Sequence, residues 1–497
     1  MGLQSDDGTP QGVGGFYGNP TMKWVRVYAN AGDRLLDKDV IGRGGMRHGF
    51  PTPGATIRSI VPRVLGTGLL MACLTTETAP MPRPTVRSSD PPSATRAERV
   101  ASIQAALRAA ELDGWLLADF RGRNVLALRV LRRETEQMGT RRWFYWIPAQ
   151  GEPVRICHAI EPRCLDGYPG TLRLYAGWRQ LHEALREALR GARRVAMEYS
   201  PNNDIPYVSL VDAGTVELVR SFGVEVVSSA DLVQRFEAVW TDEQRAMHME
   251  AARKLLRIKD RAFGYIRQAL LRGRPITEYD VQQYIWRLYR QEGLVADHPP
   301  IVAVNQNASN PHYAPTKTEH APIRMGDLIL IDLWAKLDRP GAVYADTTWM
   351  AYAGKEVPSK YAEIFQIVYE AQSAAYDLIA QRFRAGQPVY GWEADEAARN
   401  VIRQKGYEAY FIHRTGHSIG QEVHGNGANL DNLETRDGRQ LLPGTGFSIE
   451  PGIYLPEFGV RSEMNVYLDP EKGPVVTTAP RQTAIIPLLS WRPAATP

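Results

Sequence analysis

Four carboxylates in the C-terminal half of the chain stand where chain reversals could bring them together in pairs. Asp332 closes the apolar run Leu328-Ile329-Leu330-Ile331, and Asp346 lies in a strand-like stretch from Val343 to Met350. Between them, Asp338-Arg339-Pro340-Gly341 is a strong turn signal. Opposed residues of an antiparallel pair keep a constant sum of their numbers, and Asp332 and Asp346 are symmetric about position 339, inside that turn. Opposed Cβ atoms sit roughly 5 Å apart on one face, so these two carboxylates are expected to face each other. The construction recurs downstream. Phe447 to Glu450 and Val460 to Tyr467 read as strands around Pro456-Glu457-Phe458-Gly459, and Glu450 and Glu463 are symmetric about 456.5. A second facing pair follows, provided that Pro451-Gly452 leaves the register intact.

Close carboxylates repel unless a proton or a cation neutralises them. On strands that otherwise read apolar, a metal is the economical explanation. Oxygen-rich ligation with one or two imidazoles suits Mn²⁺, with Zn²⁺, Co²⁺ or Fe²⁺ as alternatives. Two such ions about 3.5–4 Å apart can activate a hydroxide and polarise a carbonyl together. The imidazoles lie in loops dense with Gly, Asn, Pro and Thr: His312 in Asn310-Pro311-His312-Tyr313, and His413, His417 and His424 between positions 413 and 425. An acid before a turn is ordinarily solvated, and a lone loop histidine is ordinarily a surface residue. The grouping of both kinds in one half of the chain favours the metal reading.

The elements that must position these groups form the second of two expected domains. Residues 1–94 are rich in Gly, Pro, Ser and Thr and are expected to be a disordered leader. Within it, segment 46–73 places Arg47, Arg58 and Arg63 before a short apolar run ending at Cys73, in the manner of a bacterial lipoprotein signal. Lipidation at Cys73 and a start later than Met1 would follow. Residues 95–238 alternate helical and strand patterns and read as an α/β domain. At 239–490, Thr241 and Gln244 form a capping box that opens a long amphipathic helix carrying Met247, Ala251, Leu255, Ile258, Ala262, Ile266 and Leu270 on one face. Residues 491–497 are a tail. The net charge of +4 is small for 497 residues and is not gathered in a stripe, so no nucleic-acid partner is implied. No apolar run is long enough for a transmembrane helix. Three cysteines, Cys73, Cys157 and Cys164, are too few for a disulfide scaffold and lack a CxxC spacing.

The ordered motifs resemble the pita-bread metallopeptidases: aminopeptidase P, prolidase and methionine aminopeptidase, with creatinase as a metal-free cousin. The resemblance rests on Asp332 after its apolar strand, Ala345-Asp346-Thr347-Thr348, Thr415-Gly416-His417-Ser418-Ile419-Gly420, Ser448-Ile449-Glu450-Pro451-Gly452 and Val460-Arg461-Ser462-Glu463. It implies an α/β creatinase-like N-terminal domain followed by an α+β pita-bread catalytic domain. It also implies two divalent ions, with Asp332 on one, Asp346 and Glu463 bridging, and His417 and Glu450 on the other. Glu450 would shuttle a proton, His312 and His424 would act on the scissile region, and His413 and Arg461 would line the substrate pocket. The reaction implied is removal of an N-terminal residue that precedes proline. The alternatives are an Xaa-Pro dipeptidase (prolidase), a creatinase-like amidinohydrolase and a non-catalytic peptide- or protein-binding module. The resemblance further implies a homodimer in the cytoplasm, unless segment 46–73 exports or anchors the chain. This chain departs from the family pattern in Trp334, Trp349, Ser418 and Gly425, and its Asp-to-Asp spacing of fourteen exceeds the common eleven. Both tryptophans are expected near the site.

Overall fold

The computed structural model describes residues 95–133 and 139–492. The expected leader, segment 46–73, Cys73 and the last residues of the tail lie outside them. Thr95 caps α1 (Arg96–Ala109) through a capping box with Glu98, and Val100, Ile103 and Leu107 are buried along its inner face. A six-stranded mixed sheet follows, in the order β4-β3-β2-β1-β5-β6. Its strands are β1 (Gly114–Asp119), β2 (Trp143–Pro148), β3 (Val154–His158), β4 (Thr171–Tyr175), β5 (Arg194–Met197) and β6 (Glu225–Ser228), interleaved with α2 (Val125–Val130), α3 (Trp178–Ala188) and α4 (Ala213–Arg220). Cys157 and Cys164 are joined by a disulfide, a pairing that the cysteine spacing did not suggest.

A short helix, α5 (Ala230–Val233), runs into a π-helical turn at Gln234–Ala238 and then into α6 (Asp242–Leu271). The capping box of Thr241 and Gln244 is formed, and Met247, Ala251, Leu255, Ile258, Ala262 and Ile266 are all buried. With α7 (Glu278–Gln291), this helix covers a sheet built from β7 (Leu294–Val295), β8 (Ile301–Val304), β9 (Leu328–Leu337), β10 (Ala345–Tyr352) and β17 (Ile486–Pro487). Side chains alternate faces along a strand. The odd-numbered Ile329, Ile331, Leu333 and Ala335 join the α6–α7 core, whereas the even-numbered Leu328, Leu330 and Met350 pack under α8 (Ser359–Arg384) and α9 (Gly391–Gln404). Further along, that even face turns from apolar to Asp332, Thr348 and Asp346. A second sheet, β11 (Ser418–Ile419), β12 (Gly446–Ile449), β15 (Met464–Asp469) and β16 (Gly473–Val476), and the ribbon of β13 (Gly452–Tyr454) with β14 (Gly459–Arg461) complete this half. No described helix is long and apolar enough to cross a membrane.

His248 on α6 ties the two sheets together and has no place in the expected chemistry. Its Nδ1 donates to the Tyr344 carbonyl at 2.6 Å, and its Nε2 accepts from the Thr477 hydroxyl at 2.7 Å. Full burial pulls this imidazole down to about 4. Between its folded value and the unfolded value of about 6.5, the unfolded chain binds the extra proton, so stability falls as pH is lowered through that window. Urea unfolding between pH 7 and 4 should therefore show an acid loss of stability that is smaller in His248→Gln. An unchanged pH slope in the variant would contradict this account.

Candidate metal centre

Strands β9 and β10 pair with Asp346 facing Trp334 and Thr348 facing Asp332. The expected direct opposition of Asp332 and Asp346 is therefore wrong, because the symmetry centre lies at 340 rather than 339. The reason is local. Residues 342–344 do not continue the hairpin, and the Tyr344 amide donates to the Gly420 carbonyl at 2.9 Å. The connection is thus longer on the β10 side. A displacement of two in pairing preserves the face, so the two aspartates are diagonal neighbours on one surface.

The second hairpin keeps its expected register. Ile449 faces Met464 on one side of the gap and Gly452 faces Arg461 on the other, both centred on 456.5. Glu450 and Glu463 are opposed across the interruption. There the Glu450 amide turns to the Thr415 carbonyl at 2.7 Å and the Glu463 amide to the Thr348 carbonyl at 3.2 Å. Gln372 of α8 bridges the opening, its Nε2 donating to the Ile449 and Ser462 carbonyls at 3.0 and 2.9 Å. Pro451 lies in the same interruption, where a missing N–H breaks no ladder bond.

His417 enters along β12. Its amide donates to Ser448 Oγ at 2.9 Å, and the Ser448 hydroxyl donates to Glu450 Oε1 at 3.0 Å. A Cβ on Gly416 would stand 2.0 Å from the Ser448 carbonyl oxygen, so this approach requires glycine. His417 Nδ1 donates to the Ser418 carbonyl at 3.1 Å, which turns Nε2 toward the acids, 3.1 Å from Glu450 Oε1 and 3.7 Å from Asp346 Oδ2. Such a backbone bond to the far nitrogen is how proteins orient a ligating imidazole.

One ligand atom each from Asp346, His417 and Glu463 lies within 4.8 Å of the others. Burial, then the charges of Asp332 and Glu450, push the Asp346 carboxyl well above the usual carboxylate range. Burial, then Asp346, does the same to Glu463. Asp332 is raised by burial and relieved by Arg461. Burial would raise Glu450 too, but the hydrogen bond and charge of His417 carry it below the ordinary value. Asp332 Oδ1, Asp346 Oδ1 and Glu463 Oε1 are buried with no hydrogen-bond partner. An orphaned buried acceptor costs about 1–3 kcal/mol, and three of them on mutually repelling acids fit a cationic guest. Four carboxylates and one imidazole are the donor set for hard or borderline divalent ions.

The remaining expected residues divide. The His424 ring stands edge-on to His417, centroids 4.5 Å apart. His312 is exposed on the loop after β8, its amide bonded to Asn310 Oδ1 at 3.0 Å. The charge of His417, burial and the charge of His312 together hold the His424 imidazole below the usual range. Arg461 is buried and donates to Asp332 Oδ2 at 2.6 Å, to Thr348 Oγ1 at 3.1 Å and to the Tyr454 hydroxyl at 3.0 Å. The Tyr454 hydroxyl in turn donates to His413 Nε2 at 2.7 Å. Arg461 and His413 thus form one chain behind Asp332, with His413 Nδ1 anchored on the Arg414 carbonyl at 2.7 Å. Sequence reasoning missed Tyr454, Gln372, Ser448 and Thr348, whose spacing carries no signal apart from the strand pairing. Of the two tryptophans, Trp334 shares the acidic face and donates from Nε1 to Asp297 Oδ1 at 2.9 Å. Trp349 does not line the site. It points to α6, its ring under Lys259 Nζ at 3.8 Å, as its odd position requires.

Residues 250–470 match the sequence profile of metallopeptidase family M24. An uncharacterized peptidase of Bacillus subtilis, YqhT, is 31% identical over 269 residues, 53% of this chain and 68% of that protein. The chain belongs to metallopeptidase family M24. Another relative of this metallopeptidase is the Xaa-Pro dipeptidase of Lactobacillus delbrueckii subsp. lactis, 36% identical over 207 residues, 41% of this chain and 51% of that protein. Among solved structures, the dipeptidase PepE of Mycobacterium ulcerans shares its fold with a TM-score of 0.59 at 24% identity, over 79% of this chain and 97% of that one. The pita-bread architecture and the use of divalent metal follow from family membership.

Because the metallopeptidase's acids repel each other, removing metal should destabilise it. Saturation at 100 times Kd adds about 2.7 kcal/mol to stability, so chelation should lower the melting temperature by roughly 5 °C or more. Glu463→Gln should reverse the order: it should melt higher than the wild type without metal and gain nothing from added Mn²⁺. Differential scanning calorimetry alongside metal analysis checks both, and equal melting of the two metal-free proteins would count against the repulsion.

Proposed function

We propose that this metallopeptidase hydrolyses the bond between an N-terminal residue and a following proline. The observation that supports the reading is the grouping of Asp346, His417 and Glu463, with Glu450 Oε1 3.1 Å from His417 Nε2 and with partnerless buried oxygens on Asp332, Asp346 and Glu463. Mn²⁺ is the ion proposed, with Zn²⁺, Co²⁺ or Fe²⁺ able to use the same donors. Two bound divalent ions would lower the pKa of water toward neutrality and polarise the scissile carbonyl.

The chain's own residues do the rest. Glu450, 3.1 Å from His417 Nε2, accepts the proton of the attacking water and delivers it to the departing proline nitrogen. The proline nitrogen carries no hydrogen in the peptide, so it can leave only after receiving that proton. His424 donates a hydrogen bond to the oxygen that gains charge as the carbonyl becomes tetrahedral. Arg461, bonded to Asp332, Thr348 and Tyr454, holds Asp332 in place. His312 binds the substrate from the rim, and Trp334 walls the side next to Asp346.

Both dipeptidase and aminopeptidase use of this centre are chemically open. The names of the Lactobacillus relative and of the Mycobacterium ulcerans neighbour favour the dipeptidase, and the Xaa-Pro aminopeptidase is the second reading. With Mn²⁺, the purified protein should split Ala-Pro, and Glu450→Gln should lose activity by roughly 10²–10⁴-fold. Turnover of Ala-Pro-Ala with little action on Ala-Pro would give the aminopeptidase, and inactivity on both would reject the reading.

For the compartment, we propose export. The disulfide between Cys157 and Cys164 supports it, since such bonds persist in oxidising compartments and are rare in the cytosol. Non-reducing peptide mapping of protein isolated from its native host should recover residues 157 and 164 in one linked species. Two free thiols there would overturn the proposal.

A further inference from the structure

His424 sits on a short loop, 420–428, that leaves β11 and is held from outside the catalytic half. Arg129, in the last turn of α2, grips Glu422 with its two terminal guanidinium nitrogens: Nη2 to Oε1 at 2.5 Å and Nη1 to Oε2 at 3.2 Å. The same Nη1 reaches Glu237 Oε1 of the π-helical turn at 3.3 Å. Three residues earlier in that turn, Gln234 Oε1 accepts the Ala428 amide at 2.6 Å while its Nε2 donates to the Gln440 carbonyl at 2.9 Å. Lys336 Nζ donates to the Gln421 carbonyl at 2.6 Å. After His424 the loop is also held from within the catalytic half, by Arg439 at the Asn426 and Gly427 carbonyls and by Ser418 at the Gly425 and Gly427 amides. Before His424 its side-chain ties are Lys336 at 421 and Arg129 at 422. The ties at 422 and 428 come from the N-terminal α/β half and its junction.

Exposed ion pairs add little to stability, and Glu422 is 53% exposed at its side chain. The value of a two-pronged guanidinium–carboxylate contact is directional, because it fixes orientation as well as distance. A π-helical turn at the junction is also the kind of backbone irregularity found at functional sites. It puts Gln234 and Glu237 on the side facing the loop.

We propose that Arg129 is a positioning residue, and that the Arg129–Glu422 clasp, with the junction turn, sets the angle at which His424 stands against His417. The inference rests on the role given to His424 above. Its consequence is that the N-terminal half is part of the catalytic apparatus of the same chain, and that loosening the clasp slows turnover without weakening substrate binding.

The test uses the full-length Mn²⁺ enzyme with Ala-Pro. Arg129 variants leave Glu237, 5% exposed, as an uncompensated buried acid and can fail to fold. Glu422→Ala avoids that, since it leaves the Arg129–Glu237 contact in place. Glu422→Ala should lower kcat by roughly ten- to a hundredfold, the scale expected for a misplacement of about 1 Å, with KM within twofold and an unchanged melting temperature. In a His424→Ala background the same substitution should have no further effect. Unaltered kinetics in Glu422→Ala, or an equal fall in both backgrounds, would overturn the proposal. Hydrogen exchange provides a readout independent of activity: amides of 420–428 should exchange faster in Glu422→Ala while those of β12 and β15 do not. Unchanged exchange in that loop would overturn the proposal even if the substrate assignment failed, and faster exchange would support the clasp on its own.

Discussion

Repulsion between buried carboxylates is the constraint around which the catalytic half is arranged. Asp346 and Glu463 group with His417, the charges of Asp332 and Glu450 act on both, and Arg461 reaches Asp332. Like charges at such separations in a poorly solvated place cannot all ionise without a counter-charge. The chain does not dispel the conflict by protein contacts. It leaves one oxygen each on Asp332, Asp346 and Glu463 without a partner and spends its hydrogen bonds on fixing where the acids point. This is the behaviour of a site whose stability is linked to a guest, and it is why the metal belongs to the folding problem as well as to the chemistry.

Holding repelling groups at fixed places demands stiff elements behind them. Two hairpins supply this, each backed by helices on the far side. The β9–β10 sheet buries its odd face on α6 and α7, so the strands cannot rotate to carry Asp332 and Asp346 into solvent. Gln372 of α8 holds the β12–β13 and β14–β15 strands at the gap between Glu450 and Glu463. His417 is held by Ser448 and by the glycine that lets its strand lie close. Behind the acids, the chain of Arg461, Tyr454 and His413 gives Asp332 its one strong cationic partner and locks that partner's orientation. Preorganisation of this sort spares the site any rearrangement when charge moves during reaction.

The N-terminal half contributes more than bulk. Its core is separate, formed where α1, α2 and the junction turn pack on one face of the six-stranded sheet and α3 and α4 on the other. Yet polar contacts leave it at Gln234 and Arg129 for the loop beside the metal centre. Tyr207 likewise meets Arg414, next to His413. Irregular backbone near a site must find its hydrogen bonds somewhere, and here Gln234 provides two of them, at Ala428 and Gln440.

The sequence by itself determined the identity of the acids, the imidazole that joins them and the parity that keeps each pair on one face. Period-two alternation and turn residues act over a few positions and are written locally. The Glu450–Glu463 register was legible because its turn is tight and symmetric, and the interruption at Pro451 adds no residue to either strand. The Asp332–Asp346 register was not, because Tyr344 bonds to Gly420, nearly eighty positions away. For the same reason only the tertiary structure could separate Trp334 from Trp349, give Arg461 to Asp332, reveal Tyr454 and Gln372, join Cys157 to Cys164 and bring Arg129 to Glu422. Those contacts depend on which distant surfaces meet, and nothing in local spacing encodes that.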